Sequence, residues 1–181
     1  PPTEAARQLR RDHDFAAANI TAIRVHTFHE AARLATAAPA DTEQAQYSLP
    51  FAVAAFLTRG KIGVDEVGPS GLNEPEIIRL SHLFEPHEDD RFNAAFPSER
   101  WARIELDLSD GRTLISEDSV ANGNADNPLT DHEIDDKFTT FMAGAGFGER
   151  SDEVMITVKQ LDQAQDVATL IDLITAPASP V

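Results

Sequence analysis

Residues 103–108 alternate polar and apolar side chains, Arg103-Ile104-Glu105-Leu106-Asp107-Leu108, and lead through Ser109-Asp110-Gly111-Arg112 into Thr113-Leu114-Ile115-Ser116. A period of two places the apolar set on one face of a strand, and an Asp-Gly pair between two such runs supplies the backbone freedom of a tight turn. The segment therefore predicts an antiparallel hairpin with one face that needs a covering layer.

The flanking residues read as that layer. Thr3 to Asp12 is rich in helix formers, among them Glu4, Ala5, Ala6, Gln8 and Leu9, and the Ala and Asn run to Asn19 is its exit. Ile20 to Phe28 concentrates β-branched and aromatic residues and predicts a strand. After the loop Ala38 to Asp41, a helical turn is expected over Thr42 to Gln46. Ser48 as N-cap and Pro50 in the first turn open a helix that runs through Leu57 to a C′ glycine, Gly60. Asn73 and Pro75 repeat the cap-then-proline order ahead of Ile77, Ile78, Leu80 and Leu83, and a further strand is available over Leu83 to Glu88. The acid- and proline-rich stretch Glu85 to Arg100 reads as an excursion within a domain. Thr130-Asp131-His132-Glu133 is a capping box for a helix carrying Ile134, Phe138, Phe141 and Met142. Beyond the glycine-rich break Gly144 to Gly148, the spacing of Val154, Val158, Leu161, Val167, Leu170, Ile171 and Ile174 predicts one long amphipathic helix over 152–174. The fold class expected is α+β: a helical lead-in over 1–19, a mixed domain with the hairpin over 20–119, and C-terminal helices over 120–181.

Charge narrows the partners. With 15 Lys and Arg against 31 Asp and Glu, the 181-residue chain carries a formal charge of −16, which repels nucleic acid phosphates and anionic lipids. The same field opposes a di- or tricarboxylate ligand unless basic side chains are brought to it. No run of eighteen apolar residues is present, so no membrane span is expected. The absence of cysteine removes disulfides, thiolate metal sites and cysteine nucleophiles, and suits a reducing cytoplasm. Pro1-Pro2-Thr3 opens without Met or a signal sequence, as expected of a piece of something longer.

Several clusters invite a site and fail on chemistry. His26, His29 and Glu30 give H-x-x-H-E, but a strand cannot bring positions i and i+3 to one face, so two half-exposed histidines are expected in place of a metal centre. Asp118 to Leu129 imitates a calcium loop, with Val120 at a ligand position and Leu129 where the bidentate Glu belongs; an Asx-rich turn is expected. The acidic runs Glu88 to Asp90 and Asp131 to Asp136 read as solvated faces, and Gly144 to Gly148 as an inter-helix hinge lacking a phosphate-binding Lys. Tyr47, Ser48 and Phe51 remain. From chemistry alone Ser48 caps a helix, while Tyr47 and Phe51 pack with the phenol at the edge of the core.

Ala45-Gln46-Tyr47-Ser48-Leu49-Pro50-Phe51-Ala52-Val53-Ala54, followed by Gly123, Asn127-Pro128-Leu129-Thr130 and then Lys137-Phe138, resembles the C-terminal part of the MmgE/PrpD family. That family includes 2-methylcitrate dehydratases, cis-aconitate decarboxylases and iminodisuccinate epimerases. Its members show A-x-F-S-L-P-Y-A-V-A, then G-x-P-x-N-P-L-T, then an acidic helix with Lys-Phe. The resemblance implies a small α+β lid domain over residues 20–119 and closing helices that belong to an all-helical domain, with the substrate between them. It implies a lyase acting on a small carboxylic acid by acid–base chemistry, without cofactor or metal, in a cytoplasmic homodimer. It also implies that the acid, the histidine and the substrate-binding bases lie in an N-terminal helical domain that this chain lacks, so the chain alone is expected to be inactive.

The chain departs from the family at its aromatic hydroxyl. The family tyrosine aligns with Phe51, and the hydroxyl appears four positions earlier at Tyr47, one turn or about 6 Å away if both are helical. Tyr47, Ser48 and Phe51 are therefore the residues expected to line the cleft. Asn122 and Ala125 stand where the family has Arg and Pro. A non-catalytic acidic binding or assembly module, docking through helices 131–143 and 152–174, is the alternative.

Overall fold

The computed structural model describes residues 1–177, and the chain divides into two compact units, Pro1–Asn127 and a second beginning at Pro128. In the first, α1 (Pro2–Asp12) leads to β1 (Ile20–Thr27). Six helices follow: α2 (His29–Ala32), α3 (Thr42–Gln46), α4 (Leu49–Arg59), α5 (Val64–Val67), α6 (Pro69–Leu72) and α7 (Pro75–His82). The unit ends with β2 (Phe84–Glu88), α8 (Asp90–Ala95), β3 (Ala102–Leu108) and β4 (Thr113–Ile115). The fold is α+β.

The strands form one mixed sheet in the order β2-β1-β3-β4, with β2 parallel to β1 and the other pairs antiparallel. The hairpin lies where the alternation put it: Leu106 faces Leu114, Asp107 faces Thr113, and Gly111 turns with φ 88°. The period of two decides the faces. Ile23, Val25, Ile104, Leu106, Leu108 and Leu114 are buried on one side, leaving Arg24, His26, Arg103, Glu105 and Asp107 on the other. Leu83 to Glu88 supplies the parallel strand, and its edge position tolerates Pro86.

The buried face meets α1 through Ala5, Ala6 and Leu9, α7 through Ile77 and Leu80, and above all α4. The residues expected as a lead-in, 1–19, thus contribute a helix to this core. On α4, Phe51, Val53, Ala54, Ala55, Phe56 and Leu57 are all buried, so the helix is apolar on every side, as a helix in the middle of a core must be. Its ends are polar and satisfied. The Ser48 hydroxyl accepts the Phe51 N–H at 3.0 Å and donates to the Thr36 carbonyl at 2.5 Å, while Gly60 closes the C-terminus with φ 75°. Arg10 donates to the Leu57 carbonyl. A smaller cluster of Phe28, Ala31 and Phe92 sits beside this core, with Phe28 and Phe96 stacked at 4.7 Å.

Two local expectations need correction. The residue before α7 is Glu74, not Asn73: the Asn73 amide donates backward to the Pro69 carbonyl at 2.7 Å and so closes α6, leaving Pro75 to start α7 without a side-chain cap. The long helix over 152–174 is broken. In the second unit α9 (Asp131–Gly144) begins at the Thr130–Glu133 capping box, α10 (Ser151–Lys159) stops at Gln160, a short 3-10 turn spans Leu161–Gln163, and α11 (Ala168–Thr175) restarts. The apolar spacing lapses across Asp162 to Asp166, and the Asp166 carboxylate accepts the Ala168 N–H at 2.9 Å, which starts a new helix more effectively than it continues the old one.

Since Ser48 is buried and its hydroxyl serves two backbone groups, Ser48→Ala is expected to cost about 1–2 kcal/mol. The check is a lowered urea midpoint at unchanged slope.

Candidate functional site

The junction between α3 and α4 is assembled from short-range hydrogen bonds. Asp41 caps α3 by accepting the Gln44 N–H at 2.8 Å, and α3 ends at Tyr47. Ser48 then ties the start of α4 to Thr36, and the Leu49 N–H donates to the Leu34 carbonyl at 2.9 Å. The loop that supplies both carbonyls contains Ala38 at φ 47°, a left-handed conformation uncommon for alanine. These bonds fix residues 33–36 against 47–49.

The three residues expected to line a cleft have different fates here. Phe51 is fully buried, a core side chain between the sheet and the neighbouring helices. Ser48 is buried with both its hydrogen-bonding roles used. Tyr47 alone is at the surface, 70% exposed. It does not belong to α4: with φ −98° and ψ 3° it is the C-cap that follows α3, so the idea that its hydroxyl sits one turn from position 51 on a shared helical face is corrected. Tyr47 projects from a rigid corner, and that is the one phenol the chain can present.

A second polar constellation occupies the open face of the sheet. Register pairs His26 with His87 on one side and Arg103 on the other, and pairs Arg24 with Glu85 and Glu105 in the next row. Arg24 donates to Asp107 through both guanidinium ends at 2.6 and 2.8 Å and to Glu105 at 3.2 Å. With Thr113 also donating at 2.8 Å, these bonds hold the Asp107 carboxyl down at about 2. Burial alone raises the Glu105 carboxyl, but the hydrogen bond from Arg24 and the charges of His26 and Arg103 bring it below the usual carboxylate range. His26 Nε2 lies 3.0 Å from Glu105 Oε1, in an approach not aligned for a hydrogen bond, and Arg103 Nε is likewise buried without a partner. Desolvation, then Arg103 and His87, push the His26 imidazole below its ordinary value. The His26 and His87 rings stack at 5.3 Å.

The remaining candidates are spoken for. His29 pairs with Glu88 at 2.9 Å, away from the Glu105 that meets His26, so the two histidines of H-x-x-H-E serve different carboxylates. Asp89 caps α8 and pairs with Arg91, which also reaches Asp118. Gly123 to Asn127 forms a turn closed by Gly123 N–H to Asn127 carbonyl at 2.8 Å. Among the described residues no group of three or more His, Asp and Glu is arranged to hold a metal ion, and no helix is long and apolar enough to cross a membrane. The charged rows on the sheet escaped sequence reasoning because they depend on register. The signal was present in part: Arg24 and His26 alternate in one strand as Arg103, Glu105 and Asp107 do in another.

The sequence profile of the MmgE/PrpD C-terminal domain matches residues 1–163. No curated protein matches the chain.

His26 has a folded-state value below 6.5, so the unfolded chain takes up this proton first, and stability is expected to fall as pH drops below about 6.5. Glu105 and Asp107, both depressed, add losses in the same direction at lower pH. Urea midpoints for the parent and His26→Gln between about pH 7.5 and 5.5 check this: the decline in that window is expected to flatten in the variant.

Proposed function

Because the chain belongs to the MmgE/PrpD family, whose C-terminal domain accounts for residues 1–163, we propose that it is the lid-bearing portion of a lyase for a small di- or tricarboxylic acid. The family match carries this reading. The reaction class is acid–base chemistry at a carbon next to a carboxylate. In dehydration and epimerisation a base removes the proton there, and either the neighbouring hydroxyl departs as water with a proton from an acid or a proton returns to the opposite face; in decarboxylation the carboxylate leaves as CO₂ and the carbanion so formed takes a proton from an acid. Each route stabilises negative charge beside a carboxylate and so calls for cations.

On this reading the first unit covers the substrate and offers Tyr47 as its phenol, because Phe51 is sealed in the core and Ser48 is consumed by capping. The base and the cationic clamps come from a helical companion domain, which also receives the helices of the second unit. The chain and its companion would work in the cytoplasm as a homodimer, with no cofactor, metal, nucleic acid or membrane involved.

One observation is shared with the alternative of an acidic binding or assembly module. In the second unit only Ser151 and Val154 are buried among the described residues, while Ile134, Phe141, Ile156, Val158, Val167, Ile171 and Ile174 are each about half exposed. Such a surface suits a docking partner of either kind.

The purified chain, incubated with 2-methylcitrate and with cis-aconitate, is expected to release neither unsaturated product nor CO₂. Joined to the N-terminal domain of an MmgE/PrpD enzyme, in a chimera with a cooperative melt, it is expected to turn over one of them. Turnover by the chain alone, or a folded chimera inert to every family substrate, contradicts the proposal.

A further inference from the structure

In a chain with 31 acidic residues, nearly every Lys and Arg is engaged by a carboxylate, a ring or a carbonyl, and the exception is informative. Arg7, Arg11, Arg24, Arg59, Lys61, Arg79, Arg91, Arg103, Arg112 and Lys159 all pair with carboxylates. Arg10, Arg100, Lys137 and Arg150 lie over aromatic rings, and Arg10 and Arg150 also donate to carbonyls. Arg33 is the one Lys or Arg among the described residues whose side chain makes no ion pair, hydrogen bond or ring contact. It is exposed, and Glu30, three residues earlier at the spacing that favours a helical ion pair, does not engage it.

Its place in the fold is the second observation. Arg33 ends α2, with its N–H bonded to the His29 carbonyl at 3.2 Å, and the next residue, Leu34, accepts the Leu49 N–H. This pairing, with the Ser48 to Thr36 bond, ties the segment that follows Arg33 to the segment that follows Tyr47, so the two exposed residues sit one and two positions from a shared backbone hydrogen bond. The start of α4 has no donor left for an anion: Leu49 N–H goes to Leu34, Pro50 has none, and Phe51 N–H goes to Ser48. Any anion recognised at this corner must be held by side chains, and a guanidinium beside a phenol is the pair that suits a carboxylate, the first donating two parallel N–H bonds and the second one O–H.

We propose that Arg33 and Tyr47 form a carboxylate-binding site on the lid, contributing to the substrate's grip one of the cations that the rest of this acidic chain does not provide. The inference rests on the proposed lyase reading for the identity of the ligand as a small polycarboxylate. It differs from that reading in placing one cation on this chain, where the companion domain was assigned all of them.

Citrate is the probe. Titrated into the ¹⁵N-labelled 181-residue chain at constant ionic strength held with sodium chloride, it is expected to produce saturable shifts of the Arg33 Nε–Hε and the Tyr47 resonances, with a Kd of about 1–10 mM. Arg33→Gln is expected to abolish saturation, and Tyr47→Phe to weaken binding severalfold. Both residues are exposed, so both variants should melt as the parent does. Absence of saturable shifts at these two residues up to about 50 mM, or shifts that persist in Arg33→Gln, overturns the site. The two ideas separate in the outcomes: an active chimera whose lid ignores citrate defeats the Arg33 site alone, and a citrate-binding lid in an inert chimera defeats the lyase reading alone.

Discussion

The first unit depends on the burial of α4. A helix apolar on all sides gains nothing from water and must be enclosed, and here the sheet, α1 and α7 share one core with it. Enclosure leaves the helix ends as the costly part, since unpaired backbone groups inside a core are strongly unfavourable. Ser48 and Gly60 meet that cost locally, and Arg10 reaches across from α1 to the Leu57 carbonyl. The same Ser48 hydroxyl that caps the helix pins the preceding loop through Thr36, so core packing and the geometry of the Tyr47 corner share one atom.

Because α1, α4 and α7 all gather on one side of the sheet, the other side is left to charge. Arg24 held by Asp107 and Glu105 stabilises the centre of that face, while the row of His87, His26 and Arg103 sets three basic groups side by side, with Glu105 as the counter-charge of His26 and Arg103 and Glu85 as that of His87. Like groups facing one another across strands tolerate neutral imidazoles and resist charged ones. The sheet is therefore most secure where His26 is neutral, and its pH sensitivity is a consequence of register.

Much of this was legible in the sequence, and the reasons are local. The hairpin followed from strict alternation around Asp110-Gly111, α4 from Ser48, Pro50 and Gly60, and α9 from the Thr130–Glu133 box, all signals contained within a few residues. The family resemblance rested on two ordered blocks and is met by a match over residues 1–163. Errors arose where a local signal had two uses. Asn73 can cap forward or close backward, and the preceding α6 decided it; apolar spacing over 152–174 suggested continuity, and Asp166 interrupted it. At the candidate site, exposure was the missing quantity. Nothing in the order Tyr47-Ser48-Leu49-Pro50-Phe51 says that the phenol faces outward and the phenyl inward, because that depends on one helix ending at residue 46 and another starting at residue 49. Arg33 was invisible for the same kind of reason, since being unpaired is a property of three-dimensional neighbours.

One apolar, enclosed helix lies at the centre of the first unit, and the second unit has almost no core of its own among the described residues. Native-state hydrogen exchange measures that contrast directly. The amides of residues 53–57 in α4 are expected to exchange only through global unfolding, with a denaturant dependence equal to that of the whole first unit, while those of α9, α10 and α11 exchange through small local openings. Amides of α4 that open locally, or helices of the second unit protected as strongly as α4, would contradict it.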